Sequence, residues 1–212
     1  SRAIGTCNLV KALEQTGGPA VLVSSSAIGY YGDQGDSELA EDHPSGRDFL
    51  AGICSAWETE ANNAITHGIR VVVVRTGIVV AHGGGALASM LLPFKMGVGG
   101  PMGSGKQWWS WIHRDDLVAI CLRAISDNEM VGVYNGTAPH PMQQGDFSTV
   151  LGKVLHRPAF LPTPAFALKL ALGGFSTELL TSKRVMPKRL QEAGFEFQYP
   201  ELETALRQAL GR

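Results

Sequence analysis

Val21-Leu22-Val23-Ser24-Ser25-Ser26-Ala27-Ile28-Gly29-Tyr30-Tyr31-Gly32-Asp33 is the stretch on which the fold turns. It opens as an apolar run that stops in three consecutive hydroxyls. A strand covered on both faces by helices is apolar almost throughout, and in open α/β sheets ligands bind beyond the carboxyl ends of such strands. The serines therefore stand where cofactor contact or chemistry belongs. A Ser-rich turn whose hydroxyls bond only to backbone is the competing reading, and the flanking sequence has to decide between them.

Upstream, Ile4, Cys7, Leu9, Val10 and Leu13 recur at helical spacing over 4–15, before the stop Thr16-Gly17-Gly18-Pro19. Downstream, a helix is predicted over 48–67, closed by Gly68, and 69–74 is a β-branched run. Strand, helical crossover and strand imply parallel neighbours joined right-handedly, hence an α/β fold with a doubly wound sheet. Arg75-Thr76-Gly77 is then a second strand tip. Beyond it the pattern predicts helices over 86–96, 117–125, 147–155, 164–172, 182–193 and 202–210. Strands are predicted over 108–112 and 131–135, with short extended pieces at 159–160 and 195–197.

With 212 residues, 44% of them hydrophobic, the chain can bury a sizeable core. Lys and Arg (18) nearly cancel Asp and Glu (19), and no basic stripe interleaves with aromatics. A small-molecule substrate is therefore expected, and no nucleic acid. Three widely spaced cysteines, Cys7, Cys54 and Cys121, lie in apolar periodic segments and read as reduced thiols, not as disulfides or metal ligands. No metal is expected. No apolar run approaches the roughly 18 residues of a spanning helix and no signal-peptide pattern is visible, so no membrane partner is expected either. The expected compartment is cytoplasmic, or the plastid stroma for a plant sequence.

A doubly wound nucleotide-binding domain ordinarily begins with a strand, a Gly-rich turn and a helix whose N-terminus takes the pyrophosphate. No G-x-G-x-x-G follows a strand here. Gly83-Gly84-Gly85 lack the spacing, and the glycines from 97 to 105 lead into a Trp-rich strand, so both read as turns.

Taken in order, these residues resemble the extended short-chain dehydrogenase/reductases, in the epimerase-like branch that carries nucleoside-diphosphate-sugar epimerase and cell-division-inhibitor labels. The resemblance runs through Leu9-Val10, the segment from Ser24 to Gly32, Arg75-Thr76-Gly77-Ile78-Val79, Leu91-Leu92-Pro93-Phe94-Lys95 and the glycines from 97 to 105. It continues through Trp111-Ile112-His113-Arg114-Asp115-Asp116-Leu117, Tyr134-Asn135-Gly136, Pro187-Lys188-Arg189-Leu190 and Ala193-Gly194-Phe195. The resemblance implies a Rossmann half that binds NADP(H), or NAD(H), and a smaller, mainly helical part that closes over substrate. Residues 1–76 and 114–137 fall to the first, 77–113 and 138–212 to the second. Members of the branch carry about one more βαβαβ portion, with the Gly-rich turn, ahead of the position of Ser1. The expectation is of a fragment, a truncated gene model or a protein with a disordered leading segment, of weak or no NADP(H) binding and poor solubility if these residues are all that is made, and of a homodimer paired through the helix over 48–67.

Short-chain dehydrogenases use a Tyr-x-x-x-Lys pair on the helix after the Ser strand, with the Tyr moving the proton and the Lys lowering its pKa. Alignment through Trp57-Glu58 places Leu50 and Cys54 at those positions, and neither can move that proton. The resemblance then leaves Ser26 as the catalytic serine, with Tyr30 or Tyr31 offering a phenol from the loop or packing at its rim. Ser24, Ser25, Arg75, Thr76 and Gly77 are the cofactor-contact candidates, Arg75 equally readable as an ion-pair residue. Trp109 and His113 are the substrate candidates. His113 with Arg114, Asp115 and Asp116 reads better as a helix cap than as a metal site. Without the Tyr and Lys, an oxidoreductase and a silent cofactor-binding regulator both remain open.

Overall fold

Asp48 starts the helix that covers the site, its carboxylate accepting the Ala51 backbone N–H at 2.8 Å as an N-cap. The computed structural model describes residues 1–212, apart from the side chains of Ala86, Ala171, Leu172 and Phe175. The chain enters through α1 (Arg2–Thr16), then β1 (Val21–Ala27), a 3-10 turn (Ile28–Tyr31) and the two-residue strand β2 (Glu38–Leu39). The capped helix α2 (Phe49–Asn62) follows, then a second 3-10 turn (Asn63–His67) and β3 (Arg70–Thr76). β4 (Ile78–Val80), α3 (Gly85–Lys95), β5 (Trp108–Trp109), β6 (Trp111–His113), α4 (Arg114–Ser126) and β7 (Gly132–Gly136) come next. The remainder is β8 (Met142–Gln143), α5 (Gln144–Leu155), α6 (Ala165–Leu172), α7 (Ser176–Leu180), β9 (Arg184–Val185), α8 (Lys188–Glu192) and α9 (Leu202–Leu210).

β1, β3 and β7 form a parallel sheet in that order, with α2 and α4 among the crossovers. The central strand shows why both faces need helices, since successive side chains alternate sides. Val71 and Val73 pack with Val10, Ala61 and Ala64 on the side of α1 and α2, while Val72 and Val74 pack with Ile120 and Ala124 of α4. All four valines are 3% exposed or less, the burial that an unbroken β-branched run anticipates. The doubly wound, Rossmann-type α/β architecture expected from the sequence is the one observed. A second core closes around Trp109, Trp111 and Phe147, with α3, α5 and α9 supplying most of its walls.

Two predicted elements are corrected. The helix over 182–193 is instead an extended piece, with β9 paired in parallel to β2 (Glu38↔Arg184), followed by a helix of only 188–192. Pro187 offers no N–H and disfavours helical backbone at Met186. Upstream, the Ser182 hydroxyl donates to Gly35 O at 2.7 Å and accepts from Trp108 N at 3.0 Å, which holds the chain straight. The strand over 108–112 is two strands, β5 antiparallel to β8 and β6 parallel to β4. Ser110 separates them because its carbonyl accepts Ile78 N–H at 2.8 Å where the chain crosses Gly77. A Cβ at Gly77 would stand 2.6 Å from that carbonyl oxygen and 3.0 Å from Thr137 Cγ2, so only glycine fits the crossing. The extended pieces at 159–160 and 195–197 form no strand.

Candidate functional site

The register of the sheet sets everything at its carboxyl end. Ser26 lies level with Arg75 and Ala27 with Thr76, while Arg75 lies level with Asn135 on β7. Alternation sends Ser26 and Arg75 to the face of α2, where Glu58 meets both. Arg75 donates from Nε to Glu58 Oε1 and from Nη2 to Oε2, each at 2.9 Å, a bidentate fork, and Ser26 Oγ donates to the same Oε1 at 2.6 Å. Arg75 Nη1 donates to the Tyr31 hydroxyl at 2.9 Å, and that hydroxyl donates to Asn135 Oδ1 at 2.7 Å. The guanidinium also stacks 3.3 Å from the centroid of the half-buried Tyr30 ring.

This network closes on itself. Burial pushes the Tyr31 phenol up to about 12, outweighing the pull of Arg75 and the bonds from Arg75 and Asn135. Burial by itself would lower Arg75, yet its bonds to Glu58 and Tyr31 raise it above its ordinary value. Ser26, Tyr31 and Arg75 thus sit together, with their polar atoms turned toward one another. Ser24 is buried on the same strand face as Ser26, and Ser25 is exposed on the other.

The open space lies one residue further along each strand. A cleft of about 230 Å³ begins at Ala27, Gly29, Thr76 and Gly77 and runs along Trp108 and Trp109. Trp109 is 2% exposed, bonds through Nε1 to Leu179 O at 3.1 Å and stacks edge-on against Phe147. A second hollow, about 420 Å³ and apolar, adjoins it behind Gly29 and is lined by Phe49, Leu50, Cys54 and Glu178. A Cβ at Gly29 would point into the space between Leu50 Cβ (3.8 Å), Cys54 Sγ (3.8 Å) and Glu178 Oε2 (3.9 Å). Burial raises the Cys54 thiol, so it is an inert wall. His113 is placed elsewhere. Its Nδ1 accepts the Asp115 backbone N–H at 3.2 Å, which caps α4, its Nε2 meets Gln208 at 2.8 Å, and its ring lies 4.0 Å from that of Tyr199.

The cleft also holds a group that the sequence reading passed over. Lys183, with its side chain 4% exposed, reaches both carboxylate oxygens of Glu178 at 3.2 Å and the Thr181 hydroxyl. All three residues line the cleft. Of the other cations in 182–193, Arg184 and Arg189 stack on Trp108 and Tyr134, and Lys188 is exposed. What could have found Lys183 was its place between Ser182 and a strand-like Arg184-Val185, a weak signal by itself. Among the described residues no cluster of His, Cys, Asp and Glu could hold a metal ion, and no helix is long and apolar enough to cross a membrane.

The strand tips suit the nicotinamide end of a dinucleotide, because small residues at Ala27, Gly29 and Gly77 leave a flat ring room against the sheet edge. The phosphate end has no Gly-rich strand-to-helix turn in this sequence. Known proteins resemble this chain in sequence and in fold. Residues 1–135 match the NAD dependent epimerase/dehydratase family, and residues 163–209 match a domain of unknown function, DUF1731. The chain is 48% identical over 189 residues to the epimerase family protein SDR39U1 homolog, chloroplastic, of Arabidopsis thaliana, covering 89% of this chain and 54% of that protein. It thus spans about half the length of that relative. The crystal structure of human epimerase family protein SDR39U1 (isoform2) with NADPH superposes with a TM-score of 0.93 at 35% identity, over 100% of this chain and 72% of that one. The nucleoside-diphosphate sugar epimerase of Corynebacterium glutamicum follows with a TM-score of 0.81 at 34% identity, over 100% and 42%. With the family match spanning more than half of its residues, the chain belongs to the NAD dependent epimerase/dehydratase family.

Proposed function

We propose that these residues form the nicotinamide-proximal and substrate-facing parts of an NADP(H)-dependent, epimerase-like oxidoreductase. The observation that carries this reading is the opening of one cleft at the adjacent tips of β1 and β3, where Ala27 pairs with Thr76. Residues 1–76 and 114–137 carry the cofactor side, and 77–113 with 138–212 the substrate side. Bound at the tips, the nicotinamide supplies or accepts a hydride. Thr76, Gly77 and Gly29 would hold its ring end, and the exposed Ser25 hydroxyl is the strand hydroxyl directed away from Glu58. Ser26, Tyr31 and Arg75 act by fixing those tips, and Trp108 and Trp109 exclude water from the reacting carbon. The solution of a human relative with NADPH supports the choice of NADP(H) over NAD(H).

Titration of the full-length protein with NADPH and NADH, read by quenching of Trp108 and Trp109 emission, tests the reading. Saturable binding that favours NADPH is expected, with at least a tenfold loss in Gly29→Leu, whose side chain would fill the space beside Leu50 and Cys54. Absence of saturable binding of either nucleotide would overturn it. A second reading, a cofactor-binding regulator without turnover, is favoured by Leu50 and Cys54, which place no phenol or amine where relatives of this type carry a Tyr and a Lys. Bound NADPH that no carbonyl compound discharges supports that reading instead.

A further inference from the structure

Lys183 is anchored as a working group is, with its backbone clamped on both sides and its side chain turned to the cleft. Its N–H donates to Trp108 O at 3.0 Å, and its carbonyl accepts the Ser110 hydroxyl at 2.8 Å. Ser110 Oγ in turn accepts Val185 N–H at 2.8 Å, so the residue cannot shift without breaking three bonds. Thr181 is held likewise, its hydroxyl donating to Glu178 O at 3.2 Å while it accepts from the Lys183 ammonium. The ion pair itself is loose. Both contacts to Glu178 measure 3.2 Å, longer than the roughly 2.7–2.9 Å of a charge-assisted bond, so an oxygen entering the cleft can take one of these N–H groups.

The rest of the wall defines what that oxygen belongs to. Ile28, Ile78, Val79, Trp108, Trp109 and Leu179 make it largely apolar. Lys183 is the one cationic side chain on it among the described residues, and Glu178 neutralises that charge. A diphosphate would find no net positive field there, and the space that Lys183 itself lines is about 230 Å³, the adjoining hollow of about 420 Å³ being apolar. We propose that Lys183, steered by Glu178 and Thr181, binds and protonates the reacting oxygen of a compact, uncharged, mostly apolar ketone, or deprotonates the corresponding secondary alcohol. This deepens the nicotinamide-dependent reading above and rests on it.

In the reducing direction the ketone carbon gains hydride from the dihydronicotinamide, the C=O π bond breaks, and its electron pair passes to oxygen. A Lys183 N–H proton completes the alcohol and leaves a neutral amine. Glu178, 28% exposed, connects that amine to solvent for reprotonation. Lys183 thereby does from the cleft what Leu50 and Cys54, which line the adjoining hollow, cannot do from α2.

Two measurements on the full-length protein test this. The first needs no cofactor: binding of cyclohexanone and of methylenecyclohexane, which lacks the oxygen, is followed by Trp emission. Wild type is expected to prefer the ketone by about tenfold or more, and Lys183→Met, similar in volume, to bind both alike. Thr181→Val, which leaves the ammonium in place, should keep part of the preference. Equal preference in wild type and Lys183→Met, or tighter binding of UDP-glucose than of cyclohexanone, overturns the proposal. The second follows NADPH oxidation with small ketones, where Lys183→Met should lower kcat at least a hundredfold with NADPH affinity unchanged, and added methylamine should restore part of the rate in Lys183→Ala. Turnover that survives Lys183→Met removes Lys183 while leaving the cofactor reading intact. Loss of NADPH binding in wild type removes the cofactor reading itself.

Discussion

Two buried ion pairs lie within one fold and differ in one respect. Glu58 and Arg75 meet as a bidentate fork at 2.9 Å and take in Ser26, Tyr31 and Asn135, and none of these five side chains lines the cleft. Glu178 and Lys183 meet at 3.2 Å on the wall of the cleft, with the carboxylate 28% exposed. Burying a charge is tolerable only when its partners satisfy it fully, so the first pair is a fixed joint. The second has longer contacts and stands where an incoming ligand can compete for them. Burial alone therefore does not separate the two pairs; contact length and a place on the cleft wall do.

The sharpest way to break this contrast is Arg75→Met. It strands the Glu58 carboxylate and should cost about 3–5 kcal/mol, measured by urea unfolding. Adding Glu58→Gln should give back part of that loss, because the two changes are coupled. A single-variant cost below about 1 kcal/mol would show that the pair is not a joint.

Next in size is the response to alkali. The Tyr31 phenol ordinarily titrates at 10.0 and is held to about 12 in the fold, so the folded chain keeps its proton where the unfolded chain has lost it. The stabilisation is whole below pH 10 and drains away as pH rises toward 12, by about 2–3 kcal/mol. Urea midpoints of wild type and Tyr31→Phe compared across that window isolate it. The difference curve should slope downward for wild type, and a flat difference would mean that the phenol is not held as the network implies.

The smallest expected change in stability is Glu178→Gln, about 1 kcal/mol, since water already reaches this side chain and the glutamine oxygen can still accept from Lys183. The same substitution should reduce turnover of small ketones by roughly tenfold by slowing return of the proton to Lys183. A large stability loss with unchanged turnover would make the second pair another joint and erase the contrast.

Periodicity carried the doubly wound core, because β-branched runs such as Val71 to Val74 and the spacing of Val10 and Leu13 are local signals. The strand tips were legible for the same reason. What lay beyond reach was set by distant partners. The Ser110 hydroxyl meets Lys183 across 73 positions, and Glu58 gathers Ser26 across 32. No window of local sequence contains both ends of such a bond. The helix predicted over 182–193 failed where Pro187 and the tether of Ser182 to Gly35 override apolar spacing. The difference matters for the site, because Lys183 stands in the stretch that is extended instead of helical.

One consequence follows for how variants of this protein would be interpreted. Arg75 and Thr76 are sequence neighbours on one strand, so the side chain that locks the sheet to α2 and the residue that edges the cleft share a peptide bond. Glu58 is absent from the cleft wall, yet its loss would release Ser26 and Arg75, the neighbours of Ala27 and Thr76. In a random mutagenesis screen, Glu58 and Asn135 would score alongside residues that face the substrate, and genetic data alone would enlarge the apparent active centre by a whole layer of scaffold.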